Sequence, residues 1–240
     1  MLHLIDNKPT IDFTSYVDCD SLINLKPYLD YAVVKSSNLA TPSRYYKSQF
    51  LDQTYQGIND IIKNDFNYDF IQDLKDHDQL ASWLRYNQDV IYGQQSVPVI
   101  YPKDWNTKHL TSETVVTDNK KYWTKFLEWV ESQNIFIEYG RVVIFFNEAG
   151  VDTPIHFDSN DASRRDEFIW ISLDSRKKIF VYDPDTEQKH YMTTAIGTFD
   201  ATNYHGAEVG NLASWSIRVD GVFSDNFLNR TGLYNHYRKK

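Results

Sequence analysis

The chain has little of what marks several common protein classes. Its 240 residues include a single cysteine, Cys19, so no intramolecular disulfide can form, which fits a reducing compartment. No apolar run approaches the roughly 20 residues that a membrane-spanning helix needs, and the segment Met1–Asp6 lacks the basic stretch and long apolar core of a secretory signal. We therefore expect a soluble, cytoplasmic protein with no membrane partner.

Positive charge is also scarce. Lys and Arg number 25 against 33 Asp and Glu, for a formal net charge of −8. A protein that binds duplex nucleic acid normally carries a basic stripe that neutralises phosphates, and here only the C-terminal Arg238–Lys240 has that character. Nucleic acid is therefore not the partner that we expect first, although an acidic enzyme can still hold a local basic channel.

Aromatic residues, by contrast, are abundant. They make up 15% of the chain, with 17 Tyr, 14 Phe and 6 Trp. Such rings suit β-strands and pocket walls, although filling of the core alone explains part of the excess. A chain of this length can bury a sizeable hydrophobic core.

Hydrophobic periodicity separates a helical first half from a β-rich second half. From residue 135 onward, short strand-like runs alternate with turn signals such as Asp183-Pro184, which is typical of a sandwich or barrel. Among the predicted strands are 135–139, 141–146, 178–182 and 214–223. In the first half we predict helices over 49–63, 70–87 and 118–132, a strand over 30–35 and an irregular connection over 93–117 that contains Pro98 and Pro102.

These patterns, with no linker rich in Gly, Ser or Pro, predict one α+β domain. Residues 1–133 would form a mainly helical support, 134–225 a jelly-roll core and 226–240 a C-terminal tail. A jelly roll, the fold of cupins, is consistent with these strands, and the N-terminal helices would buttress it.

The candidate metal ligands are His156 and Asp158, in the segment Pro154-Ile155-His156-Phe157-Asp158, and the later His205. If His156 and Asp158 lie on extended chain, their side chains point to the same face. Two imidazoles and one carboxylate with open positions form the facial triad of non-haem Fe(II) oxygenases. An H-x-D tripeptide alone is a weak signal, but the surrounding strands, the second histidine and the later Arg218 make metal binding the favoured interpretation.

In its order of elements, residues 135–225 resemble the 2-oxoglutarate- and Fe(II)-dependent oxygenases: a strand, the Ala149-Gly150 turn, the H-x-D segment, further strands, Tyr204-His205-Gly206 and an arginine-bearing strand. The stretch 141–158 is similar to the aspartyl/asparaginyl β-hydroxylase and free-proline hydroxylase branch, and 168–184 to the JmjC-type branch. The resemblance implies that this core is a double-stranded β-helix (jelly-roll, cupin-like). It also implies that His156, Asp158 and His205 hold the iron.

The same resemblance implies a 2-oxoglutarate site around Arg218, whose guanidinium fork would pair with the distal carboxylate. Ser216, Asn147 and Trp170 would complete that site. The β-hydroxylase branch has its arginine earlier on the strand, where this chain has Ser214, and JmjC-type enzymes use a lysine from the strand after the first histidine. Lys178 and Arg141 are therefore alternative cations, and a structural ion pair between Arg218 and Asp220 is the alternative role for Arg218.

The resemblance thus predicts a dioxygenase, most simply a hydroxylase, that couples decarboxylation of 2-oxoglutarate to oxidation of a substrate C–H bond. Its cofactor would be Fe(II), and its partners O2 and a small-molecule, amino-acid or peptide substrate. Two alternatives stay open: a cupin-type metal enzyme that does not use 2-oxoglutarate, and a non-catalytic jelly-roll binding protein.

Overall fold

A computed structural model describes residues 2–36, 88–89, 94–102, 114–147, 150, 152–158, 166–173, 176–211 and 214–238. The helices predicted over 49–63 and 70–87 lie outside these ranges. No helix in the described part of the chain is long and apolar enough to cross a membrane.

The described residues form twelve strands and five α-helices. The strands are β1 (Ile11–Asp12), β2 (Gln88–Asp89), β3 (Gln94–Pro102), β4 (Thr114–Val116), β5 (Phe136–Asn147), β6 (Thr153–His156), β7 (Phe168–Ile171), β8 (Lys177–Asp183), β9 (Gln188–Tyr191), β10 (Ile196–Thr198), β11 (Tyr204–Val209) and β12 (Ser214–Phe223). The helices are α1 (Cys19–Asn24), α2 (Lys26–Lys35), α3 (Thr124–Ser132), α4 (Asp225–Thr231) and α5 (Tyr234–Arg238), with short 3₁₀ turns over Thr14–Tyr16 and Asp118–Tyr122.

Two antiparallel sheets enclose the interior. The larger has the strand order β1-β10-β7-β12-β5-β3-β2, with β4 added to β3, and the smaller has the order β6-β11-β8-β9. From β5 to β12 the chain passes repeatedly from one sheet to the other, which is the winding of a jelly roll. The predicted α+β architecture with a double-stranded β-helix core is confirmed.

Strand alternation separates two hydrophobic cores. One face of the large sheet packs Trp215, Ile217 and Val219 of β12 against apolar side chains of the helices, among them Leu29 of α2 and Phe126 of α3. The other face looks into the space between the sheets. There Phe168 and Trp170 of β7 meet Ile179 and Val181 of β8, together with Phe199 and Ala207.

The inner face of β12 is polar although it is buried. Ser214, Ser216, Arg218 and Asp220 alternate with the apolar residues that pack on the helices, and all four are at most 2% exposed. Polar groups in such a position need partners, because an unpaired buried polar atom is costly. This row of side chains therefore marks the interior where a site can form.

Two predictions in the N-terminal half were wrong. Residues 30–35 belong to helix α2, where Leu29, Ala32 and Val33 share one face and are fully buried against the sheet. The supposed irregular connection contains β3 and β4, and β3 extends the large sheet beside β5. A register shift between Pro98 and Ile100 accommodates the proline that had suggested a break.

The later elements follow the prediction more closely. Strand β12 has the predicted bounds, and β5 runs through Gly140 as one strand where two were expected. The predicted helix over 118–132 begins with a 3₁₀ turn capped by the Thr117 side chain, and its α-helical part starts at Thr124. The predicted C-terminal tail contains α4 and α5, and the division of the chain into support, core and tail stays a prediction.

Candidate metal centre

The three predicted ligands converge at one end of the small sheet. His156 ends β6 and His205 lies directly opposite it in β11, with ring centroids 4.4 Å apart. Asp158 follows β6, and its Oδ1 lies 3.9 Å from Nε2 of His156 and 3.7 Å from Nε2 of His205. Two atoms that share an ion at about 2.1 Å can be at most about 4.2 Å apart, so both distances fit a common metal.

Hydrogen bonds from the far ring nitrogens set the direction of both imidazoles. Nδ1 of His156 lies 2.8 Å from the carbonyl oxygen of Pro154, and Nδ1 of His205 lies 2.9 Å from that of Asn203. A carbonyl can only accept, so Nδ1 carries the proton and donates it in both rings. The Nε2 lone pairs are therefore left to face the carboxylate, as metal binding requires.

Burial keeps the second histidine ready to bind a metal. His205 is 2% exposed, and burial lowers the pKa of its imidazole from 6.5 to about 4 against the opposing effect of Asp158. The ring is therefore neutral at pH 7, the form that binds metal. The side chains of His156 and Asp158 are 24% and 20% exposed, so the cluster opens to solvent on their side.

Arg218 contacts the carboxylate of the triad itself. Its Nη1 donates to Oδ2 of Asp158 at 2.6 Å, and its Nε donates to Oδ1 of Asp220 at 3.0 Å. Burial alone would lower the pKa of the guanidinium, but the carboxylates of Asp220, Asp158 and Asp166 outweigh it and raise that pKa. The ion pair between Arg218 and Asp220, predicted as an alternative role for Arg218, is therefore present. Arg218 also contacts the two-histidine, one-carboxylate triad through Asp158.

The two alternative cations differ in their surroundings. Arg141 is buried and donates from Nε to Oδ2 of Asp220 at 2.7 Å. Lys178 is exposed on the outer face of β8, where its register partner is Glu208. Arg141 therefore belongs to the same buried charge cluster as Arg218, whereas Lys178 does not reach the interior.

A different lysine points inward. Lys177 begins β8 and is 3% exposed, on the same face of the strand as Ile179 and Val181 of the inner core. Its Nζ donates to the carbonyl oxygen of Phe145 at 3.3 Å. The predicted strand began one residue later, at Lys178, and therefore left this lysine outside the alternation of buried and exposed side chains.

The other predicted co-substrate residues lie on the inner face of the large sheet, beside Phe145. Ser216 is the register partner of Phe145, Ser214 that of Asn147, and Trp170 that of Arg218. In the described part of the chain, the buried atoms here that have no hydrogen-bond partner include Oγ of Ser214, Oγ of Ser216, Nε1 of Trp170 and Nη2 of Arg218. Such atoms call for a ligand or water, whereas Asn147 donates from Nδ2 to Thr153 at 2.9 Å.

Fold and site together define a double-stranded β-helix with a two-histidine, one-carboxylate cluster at its mouth. Behind this cluster, the inner faces of the sheets add the buried ammonium of Lys177 and several buried polar atoms that have no hydrogen-bond partner among the described residues. The donor set fits a divalent transition metal, since imidazole and carboxylate both bind Fe(II) and leave positions for other ligands.

Comparisons with known proteins give remote likenesses. No family model and no curated protein matches the sequence. Among solved structures, a 2OG-Fe(II) oxygenase family oxidoreductase from Burkholderia pseudomallei is 9% identical with a TM-score of 0.39, covering 57% of this chain and 71% of that one. A prolyl-4-hydroxylase from Pseudomonas putida is 11% identical with a TM-score of 0.35, covering 57% and 74%. A cupin domain from Bordetella pertussis is 11% identical with a TM-score of 0.26, covering 38% and 86%. Likenesses this low do not identify a function.

Proposed function

We propose that the protein is an Fe(II)- and 2-oxoglutarate-dependent oxygenase, most simply a hydroxylase. In this reaction 2-oxoglutarate, O2 and a substrate C–H bond give succinate, CO2 and a substrate hydroxyl group. The observation that carries the proposal is the convergence of His156, Asp158 and His205 at the mouth of an interior that holds a buried cation. Iron bound there would supply the oxidising chemistry, with positions left for a co-substrate and O2.

The polar interior behind the cluster supports a dicarboxylate co-substrate. Lys177 provides a positive charge, and the hydroxyls of Ser214 and Ser216 and the indole N–H of Trp170 provide donors that have no partner among the described residues. Charge-assisted hydrogen bonds from buried donors are the strong kind. We assign the distal carboxylate of 2-oxoglutarate to Lys177, helped by Ser214, Ser216 and Trp170.

This assignment replaces the one expected from the sequence for Arg218. The guanidinium of Arg218 is already engaged by Asp158 and Asp220, and its Nη2 lies 2.9 Å from Oδ1 of Asp220. A third carboxylate would have to compete with both. Asn147 takes a supporting role, because its amide holds Thr153 at the start of β6.

The protein's own residues bind, orient and shield the reactants. His156 and His205 direct their Nε2 atoms toward Asp158, and the packed rings of Phe145 and Trp170, 5.2 Å apart between centroids, would exclude water from the co-substrate. The open side at His156 and Asp158 leaves access for a substrate. A small molecule, an amino acid or a peptide is the expected substrate class.

Turnover of 2-oxoglutarate tests the proposal. Purified protein given Fe(II), 2-oxoglutarate and O2 should release succinate, at first slowly and without substrate, and His156→Ala should abolish the release. Candidate substrates that raise the succinate rate would then be examined for hydroxylation. Metal binding without 2-oxoglutarate consumption, across free amino acids and peptides, would contradict the proposal and favour a cupin-type metal protein.

A further inference from the structure

The two oxygens of Asp158 face different partners. Oδ1 looks toward Nε2 of His205 at 3.7 Å and Nε2 of His156 at 3.9 Å, while Oδ2 accepts from Nη1 of Arg218 at 2.6 Å. We infer that Arg218 is a positioning residue that holds Asp158 as a one-oxygen metal ligand. The inference depends on the metal centre of the proposed function and assigns Arg218 a role other than contact with the co-substrate.

The guanidinium is fixed from several sides. It is 2% exposed, its carbon lies 4.0 Å from the ring centroid of Phe168, and its Nε donates to Oδ1 of Asp220. Asp220 is in turn held by Arg141, its register partner on β5, through Oδ2 at 2.7 Å. Positive and negative groups therefore alternate from Arg141 through Asp220 and Arg218 to Asp158.

This chain of charges lies on rigid elements. Arg141 belongs to β5 and both Asp220 and Arg218 to β12, so the strand ladder fixes three of its four members before any metal binds. Asp158 alone lies outside a strand, in the segment that follows β6. A ligand on irregular chain needs a partner to set its orientation, and Arg218 is the described residue that donates to its second oxygen.

The shape of the arginine side chain matters as much as its charge. Nε and Nη1 point in different directions of one plane and reach Asp220 and Asp158 at the same time. A lysine has a single ammonium at the end of a flexible chain and cannot reproduce this fork. Arg218→Lys therefore keeps the positive charge of the interior but releases Asp158.

Holding one oxygen has a consequence for the metal. A carboxylate whose Oδ2 is paired with a cation offers only Oδ1 to the ion. Without Arg218 the group can turn and bind through both oxygens, which would occupy a position that a two-atom co-substrate ligand or O2 needs. The charge chain thus keeps the coordination of the metal open.

The test uses Co(II) as the metal probe, in the absence of 2-oxoglutarate. Co(II) is titrated into wild-type protein, Arg218→Lys and Arg218→Gln, and its visible absorption spectrum gives both affinity and coordination. We expect Arg218→Gln to weaken Co(II) binding about 10- to 100-fold and to change the band shape, with partial recovery of affinity in Arg218→Lys. An affinity and spectrum that are unchanged, or an affinity that rises, in both variants would overturn the inference.

Two controls make the outcome decisive. Arg218→Gln leaves Asp220 without one of its cations and can fail to fold. In that case the Co(II) spectrum of Arg218→Lys, which keeps the charge, decides: a changed spectrum supports the inference and a wild-type spectrum overturns it. Lys178→Met, on the exposed outer face of β8, should leave Co(II) affinity and spectrum as in wild type. The probe is the metal alone, so the two proposals can fail separately. If the Arg218 variants change the Co(II) spectrum but the wild-type protein binds no 2-oxoglutarate, the proposed function is wrong and the inference about Arg218 still holds.

Discussion

His156 and His205 are register partners across β6 and β11, with ring centroids 4.4 Å apart and ring planes inclined by 53°. Their strands are hydrogen-bonded neighbours in the small sheet, so the separation of the two imidazoles is set by the ladder. Two of the three proposed metal ligands are thereby pre-positioned by backbone pairing.

Metal should stabilise the fold through this pair. A divalent ion that binds the folded chain alone adds about 2.7 kcal/mol to the free energy of unfolding at a concentration 100 times its dissociation constant. We expect Co(II) or anaerobic Fe(II) to raise the thermal midpoint of wild type, and His205→Ala to lose this response. His236→Ala, on helix α5, is the control that should keep it. A response in His205→Ala equal to that of wild type would place the metal elsewhere.

The close contact between the backbones of β6 and β11 at Gly206 predicts that a larger residue there is destabilising. A Cβ at Gly206 would lie 2.7 Å from the carbonyl oxygen of Thr153 and 2.9 Å from Cζ of Phe180. Gly206→Ala must therefore push β6 from β11 and separate His156 from His205. We expect a loss of about 1–3 kcal/mol in unfolding free energy together with weaker Co(II) binding. Gly210→Ala, where the nearest atom is 4.0 Å away, should change neither quantity in chemical denaturation and metal titration.

The assignment of Lys177 to the co-substrate predicts a selective defect. Lys177→Met keeps the length and burial of the side chain but removes its charge, so the 2-oxoglutarate dissociation constant of the metal-loaded protein should rise about 10- to 100-fold, as expected for a charged hydrogen bond. Calorimetric titration measures it. The matched control is Lys178→Met, since Lys178 is exposed on the opposite face. Equal affinities in both variants would remove Lys177 from the site.

The junction of helix α2 with the large sheet predicts a stability effect distant from the site. Asp30 is 6% exposed and accepts from Nε1 of Trp215 at 2.9 Å and from Nζ of Lys26 at 2.8 Å. Asp30→Ala leaves a buried indole N–H without its acceptor, which costs about 1–3 kcal/mol. Urea denaturation should show this loss, whereas Asp20→Ala on the exposed side of α1 should stay within about 0.5 kcal/mol of wild type.

Much of the site could be predicted because its signal is local. The spacing of His156 and Asp158, the later His205 and the alternation of Ser216, Arg218 and Asp220 are visible in the sequence, and the structure brings the first three together. The same alternation along the strand puts Arg218 on one face with Ser216 and Asp220. Which carboxylate the guanidinium meets could not be predicted, because that depends on the course of the chain after β6.

The errors have equally specific causes. The run 30–35 reads as a strand when taken alone, and only packing of Leu29, Ala32 and Val33 against the sheet shows its helical face. Pro98 suggested a break because strand positions rarely tolerate proline, but a register shift admits it. Lys177 was missed because the predicted strand began at Lys178, which left Lys177 outside the alternation of buried and exposed side chains.

The most direct test of the central claim is anaerobic addition of Fe(II) and 2-oxoglutarate to the purified protein. When both occupy one site, a visible charge-transfer band should develop that neither produces alone. His156→Ala should abolish it, and Lys177→Met should require more 2-oxoglutarate to reach it. Absence of the band with both ligands at saturating concentration would contradict a shared iron and 2-oxoglutarate site.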